Sequence, residues 1–184
     1  MAFHCLPIVR GSEKMGNRIE SLPPIVDKNS KVLILGSMPG AVSLAKQEYY
    51  ANKNNRFWEI IYGLFNSRQR IDYKQRINFL KKKCIALWDV LESCEREGSS
   101  DSTIRKRVPN EFEGFFKRYT NIRFVFFNGR KAEESFRTLV GFDFPGIELF
   151  QYLPSTSPRN WSLSAKKTAW DIIRDQKTKK IKKI

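Results

Sequence analysis

The densest chemistry in this sequence lies in ten residues, YYANKNNRFW, from Tyr49 to Trp58. Each of Asn52, Asn54 and Asn55 offers an amide donor and an acceptor, while Tyr49, Tyr50, Phe57 and Trp58 offer flat faces. Such a mixture suits the edge and face of a nucleobase; the alternative is a capping loop in which the asparagines close turns before a helix. A second cluster is GSMPG, Gly36 to Gly40. Gly36 and Gly40 let a ligand approach the backbone, and Pro39 stiffens the turn around Ser37 and Met38. No G-K-[ST] follows and G-x-G-x-x-G is absent, so neither a P-loop nor a dinucleotide fingerprint is present. A plain strand-to-helix turn is the other reading.

LPSTSPRNW, from Leu153 to Trp161, sets Ser155, Thr156 and Ser157 between two prolines. Small hydroxyls and free main-chain N–H groups bind phosphate oxygens, and Arg159 could pair with a phosphate or enter a groove. A bland turn is the competing reading. Asp89 closes an otherwise apolar run, where it could meet a ligand or cap a turn. Asn128 closes another and could N-cap the helix that follows.

The elements that must position these residues come from the apolar pattern. Short apolar runs at 31–36, 84–91, 121–129 and 147–155 read as buried strands. Helical spacing marks 56–65, 73–83, a short helix opening at Asn110–Phe112, 130–140, and a last helix capped by Ser164. Residues 1–22 and 93–102 read as irregular. The expected fold is α/β, a three-layer α/β/α sandwich around a central, mostly parallel four-stranded sheet. In such sheets the binding crevice lies beyond the carboxyl ends of the strands. GSMPG, WDVLES, NGRK and PSTSPRN each follow a strand there, so four strand exits converge on one edge.

The 184 residues suffice for one domain, read as 23–176, between an irregular extension (1–22) and a basic tail (177–184). Lys and Arg number 34 against 19 Asp and Glu, a formal charge of +15 that favours a polyanionic partner, nucleic acid ahead of a membrane surface. The segment from Trp161 onward holds eight of those cations and two Asp, and should add salt-sensitive affinity if it is not simply a solvated helix end. No apolar run could span a bilayer and no signal peptide is evident, which points to the cytoplasm. Cys5, Cys84 and Cys94 have no C-x-x-C spacing, and the single histidine, His4, lies near the terminus. Neither a metal site nor a disulfide framework is expected.

Taken in order, PPIVDKNSKVLILGSMPGAVSL, YYANKNNRFW, IALWDVLESCEREGSSDSTI, FVFFNGRKAEESF and LPSTSP give the chain a family resemblance. It resembles the DNA-deoxyinosine (hypoxanthine-DNA) glycosylases, a branch of the uracil-DNA glycosylase superfamily, from Pro23 to about Pro158. The resemblance implies a base-excision repair enzyme without metal or cofactor; the sequence shows no sign of oligomerisation, so a monomer is the default expectation. Such an enzyme flips a deaminated base out of DNA and hydrolyses its N-glycosidic bond. It further implies that Asn55, with Asn54 and Asn52 as fallbacks, orients the attacking water. Gly36 to Gly40 would shape the base pocket, with Tyr50 or Phe57 stacking on the base. Asp89 and Asn128 would contact its edge, and Ser155, Thr156, Ser157 and Arg159 would meet the DNA backbone. Three departures stand out. Met38 replaces the Asp or Asn of many relatives, Leu153 precedes Pro154 where many carry histidine, and Lys53 replaces the branch's usual proline. Two rivals remain: a uracil or G/U(T) mismatch glycosylase, and a non-catalytic single-stranded nucleic-acid-binding module.

Overall fold

In the computed structural model, residues 18–158 and 162–178 are described. The chain runs through β1 (Arg18–Glu20), β2 (Val32–Gly36), α1 (Ala41–Lys46), α2 (Phe57–Leu64), α3 (Tyr73–Lys82), β3 (Ile85–Asp89) and β4 (Leu91–Glu95). It continues through β5 (Arg105–Pro109), α4 (Phe112–Arg118), β6 (Phe124–Asn128), α5 (Arg130–Leu139), β7 (Leu149–Leu153), α6 (Leu163–Trp170) and α7 (Ile172–Thr178).

The apolar runs of β2 and β3 are buried along their whole length, because a parallel sheet is covered on both faces. The main sheet has the order β3-β2-β6-β7 with every pair parallel. Side chains alternate between its faces. Val32, Ile34, Ile85, Leu87 and Phe126 pack one way against Phe57, Ile60 and Ile61 of α2, Leu80 of α3 and Trp170 of α6. Leu33, Leu35, Ala86, Val125 and Phe127 pack the other way against Phe112 and Phe116 of α4 and Phe136 of α5. Two cores on opposite faces make the expected three layers. Each fully buried large apolar side chain contributes roughly 1.5–3 kcal/mol through lost water contact.

Register is what positions the site. Gly36 pairs with Asp89, Leu35 with Phe127, and Asn128 with Leu153, so four strand exits lie level at one edge. Gly36, Asp89 and Asn128 share the parity of Ile34, Leu87 and Phe126, which turns all three toward the α2 layer.

Three expectations need correction. A second, antiparallel sheet of order β1-β4-β5 occupies parts of the segments read as irregular, 1–22 and 93–102. Its strands RIE and RKRVP are largely solvated and lack an apolar run, and Pro109 ends an edge strand where no donor is needed. The cap of α6 is Ser162, which accepts from the Ala165 N–H at 3.2 Å, rather than Ser164.

Candidate active site

Gly36 opens the site by having no side chain. A Cβ there would strike the Asp89 carboxylate and come within 3.3 Å of the Tyr50 hydroxyl, so only glycine lets these groups close over the strand end. Asp89 is 3% exposed, and the Ser21 hydroxyl donates to its Oδ2 at 3.1 Å. Burial, opposed by the Ser21 bond, pushes its carboxyl up to about 7; the charge of Asp101 adds to the rise and Arg96 reduces it.

Tyr50, held at φ 54°, stacks on Phe57 with centroids 4.0 Å apart. Its hydroxyl accepts from Asn128 Nδ2 at 2.7 Å, and burial beside Asp89 raises its pKa. The other Asn128 amide hydrogen goes to Thr156 Oγ1 at 2.9 Å, while Asn128 Oδ1 accepts from the Thr156 N–H at 2.8 Å. Both amide donors of Asn128 are thus spent on joining the YYANKNN loop to the PSTSP loop. It caps no helix: the cap position of α5 is Gly129, at φ 102°, where a Cβ would press on Ser155 at 3.0 Å.

The loop 51–56 is wound by its own asparagines. Asn54 N–H donates to Asn52 Oδ1 and Phe57 N–H donates to Asn55 Oδ1, each at 2.9 Å. Asn55 is half-buried and its carbonyl oxygen is fixed at the start of α2. The next residue, Arg56, donates its N–H to the Thr156 carbonyl at 2.9 Å, a second tie between the loops.

The structure therefore brings Gly36, Tyr50, Asn55, Asp89, Asn128 and Thr156 into one connected group. It also divides the expected contacts. Phe57 is 0% exposed, with Tyr50 on one face and Trp58 and Trp170 at its edges, so the stacking expectation passes to Tyr50 alone. Thr156 is likewise 0% exposed and serves as an anchor, whereas Ser155 and Ser157 are partly exposed. Ser37, Met38 and Pro39 are buried and Gly40 half-buried; Ser37 Oγ donates to Asp101 Oδ1 at 2.9 Å. Arg159 lies outside the described residues.

Several residues at the site carry no sequence signal. Trp170 Nε1 donates to the Pro154 carbonyl at 2.9 Å, and the buried Lys166 ammonium donates to the Ser157 carbonyl. Burial lowers the pKa of Lys166, aided by the nearby Arg56. Helical periodicity places Lys166 and Trp170 on one face, but not beneath a loop from the strand before. Two cavities, of about 280 and 450 Å³, flank Pro23 and Pro24; of the residues singled out from the sequence only Tyr49 lines the first and none lines the second.

The family model of the uracil DNA glycosylase superfamily matches residues 23–179, a span that contains all of these groups except Ser21. The chain belongs to that superfamily. A protein named hypoxanthine DNA glycosylase from Methanosarcina barkeri is 35% identical over 152 residues, 82% of this chain and 94% of the relative. Its counterpart of the same name from Methanosarcina acetivorans is 37% identical over 153 residues, with the same coverage. A G/U mismatch-specific uracil DNA glycosylase from Schizosaccharomyces pombe is 24% identical over 74% of this chain and 43% of that protein. Among solved structures, the solution NMR structure of a Methanosarcina acetivorans protein, provisionally described as a uracil DNA glycosylase, superposes with a TM-score of 0.75. It is 34% identical and covers 88% of this chain and 99% of that one. Superfamily membership accounts for the three-layer architecture.

Proposed function

We propose that this DNA N-glycosylase of the uracil DNA glycosylase superfamily takes hypoxanthine from deoxyinosine and leaves an abasic site. Water attacks C1′, the C1′–N9 bond breaks with its electron pair on the base, and the base leaves as an anion that then takes up a proton. Two relatives of that name, at 35% and 37% identity over most of both chains, favour the purine substrate.

The observation that carries the chemistry is the fixed amide of Asn55. Its oxygen is set by the Phe57 N–H, and its loop is tied to the PSTSP loop through Arg56 and Thr156. An amide is too weak a base to deprotonate water, so Asn55 orients the water through the remaining lone pair or the amide hydrogens. The barrier falls chiefly through electrostatics around an oxocarbenium-like sugar and a departing base anion. Asp89 bears on that balance. With its carboxyl pushed up to about 7 it is largely neutral in mildly acidic conditions, where it does not oppose charge on the base; ionised, it does. Tyr50 supplies the stacking face, and Ser155 and Ser157 meet the DNA backbone.

The test is a labelled duplex with a single deoxyinosine, beside a matched uracil duplex, each followed by alkaline cleavage at abasic sites. Cleavage at inosine, lost in Asn55→Ala while DNA binding persists, is the expected result. Cleavage at uracil alone keeps the enzyme class and overturns the substrate. Tight binding with cleavage of neither makes the chain a binding module.

A further inference from the structure

The second sheet gives rise to an inference that the site alone does not. Between β4 and β5 the chain runs along the back of the Gly36–Gly40 loop and touches it at three successive points. Asp101 accepts from Ser37 Oγ at 2.9 Å, Arg96 Nη2 donates to the Pro39 carbonyl at 2.5 Å, and Ser99 Oγ accepts from the Ala41 N–H at 2.9 Å. Arg96 is the central contact. It is 8% exposed, it joins none of the ion pairs among the described residues, and its Nε and Nη1 have no partner among them. Removing a guanidinium from water without a carboxylate is costly, so the fold retains it against a penalty. The single hydrogen bond it makes among the described residues ends on the pocket loop.

We infer that Arg96 is a positioning residue for base excision: from the β4–β5 connection, through its bond to the Pro39 carbonyl, it holds the Gly36–Gly40 loop in place beside Asp89. The inference rests on the glycosylase reading for its catalytic consequences. Asp89 accepts hydrogen bonds from Ser21, in the segment before β2, and from Tyr49, and Tyr50 meets it at Gly36. The groups that act on it electrostatically are Tyr49, Tyr50, Tyr73 from α3, Arg96 after β4 and Asp101 from the turn before β5. Of these Arg96 and Asp101 carry opposite charges, and they act on Asp89 with opposite sign. A residue that only filled space would leave the protonation of Asp89 where it was.

The experiment compares wild type with Arg96→Met, Arg96→Lys and Asp101→Asn. The first readout is single-turnover excision from a deoxyinosine duplex across pH 5 to 9. The second is backbone hydrogen exchange in peptides spanning 36–44. Arg96→Met is expected to slow excision by roughly tenfold or more, the order of one lost charge-assisted hydrogen bond, with duplex affinity within about twofold. Its Asp89-dependent limb moves to higher pH, and Arg96→Lys brings that limb back toward wild type. Asp101→Asn, on an exposed turn, keeps an acceptor for the Ser37 hydroxyl and moves the limb to lower pH. Exchange at 36–44 quickens in Arg96→Met.

Limbs that fail to move, or that move the same way in Arg96→Met and Asp101→Asn, overturn the inference, and so does unchanged exchange at 36–44. Should Arg96→Met not fold, the limb shift in Asp101→Asn and the exchange in Arg96→Lys still decide. A wild type that leaves inosine uncut refutes the substrate reading instead, and the exchange readout then decides the positioning role alone.

Discussion

Asp89→Asn is the sharpest probe of the site, because the replacement keeps the shape and removes only the titration. In the folded protein the carboxyl is pushed from an ordinary 3.8 to about 7, chiefly by burial. The native state therefore binds this proton more tightly than the unfolded chain does. Its contribution to stability is fully present below about pH 4 and is lost as pH rises through 7. At 1.36 kcal/mol for each unit, the loss is of order 4 kcal/mol. For a chain of this size each kcal/mol moves Tm by roughly 2–4 °C, so about 10 °C is at stake. Thermal unfolding of both proteins from pH 4 to 8 isolates the effect, since every other group titrates alike in both. The Asn side chain keeps the acceptor that Ser21 Oγ needs. The expected result is a Tm for Asp89→Asn that gains on wild type by about 10 °C across this window and levels off above pH 7.5. Excision rates should follow the same group, falling above pH 7 in wild type and staying flatter in Asp89→Asn. A constant Tm difference across the range would mean that Asp89 is ionised throughout, and would refute the account of its burial.

Three further substitutions follow from the geometry. Gly36→Ala puts a methyl group into the Asp89 carboxylate and against Tyr50, so it should abolish excision and cost about 1–3 kcal/mol, read by denaturant midpoint and the inosine assay together. Asn128→Ala strands the Thr156 N–H and the Tyr50 hydroxyl and should cost about 1–3 kcal/mol; excision should fall more than duplex affinity, because two loops lose their shared anchor. Lys166→Met removes the donor to the Ser157 carbonyl at a buried site. It should weaken DNA binding through a displaced PSTSP loop and cost about 1–3 kcal/mol of stability, since the Ser157 carbonyl loses this donor. A fall in Tm with unchanged affinity would argue against that assignment.

The main sheet was legible because its strands β2, β3 and β6 are buried and so read as unbroken apolar runs, with the half-buried edge strand β7 still mostly apolar. With the strands placed, the rule that sites lie beyond their carboxyl ends drew GSMPG, Asp89, Asn128 and PSTSP to one edge before any coordinates. The second sheet was not legible: RIE and RKRVP alternate weakly, and their pairing comes from a partner strand some seventy residues away for β1, a contact no local pattern encodes. Roles within the site divided the same way. Residue type alone marked Asn52, Asn54 and Asn55 together, with Tyr50 and Gly36, as chemically suited, and the family resemblance singled out Asn55. That Asn128 spends both amide hydrogens inside the protein, that Thr156 and Phe57 are sealed from a base, and that Arg96 and Lys166 brace the loops from behind were decided by packing. Sequence by itself determined which side chains reach the edge of the sheet, since strand parity is local. Only the tertiary structure decided which of them keep a donor or a face free, because hydrogen-bond capacity is consumed by neighbours distant in the chain.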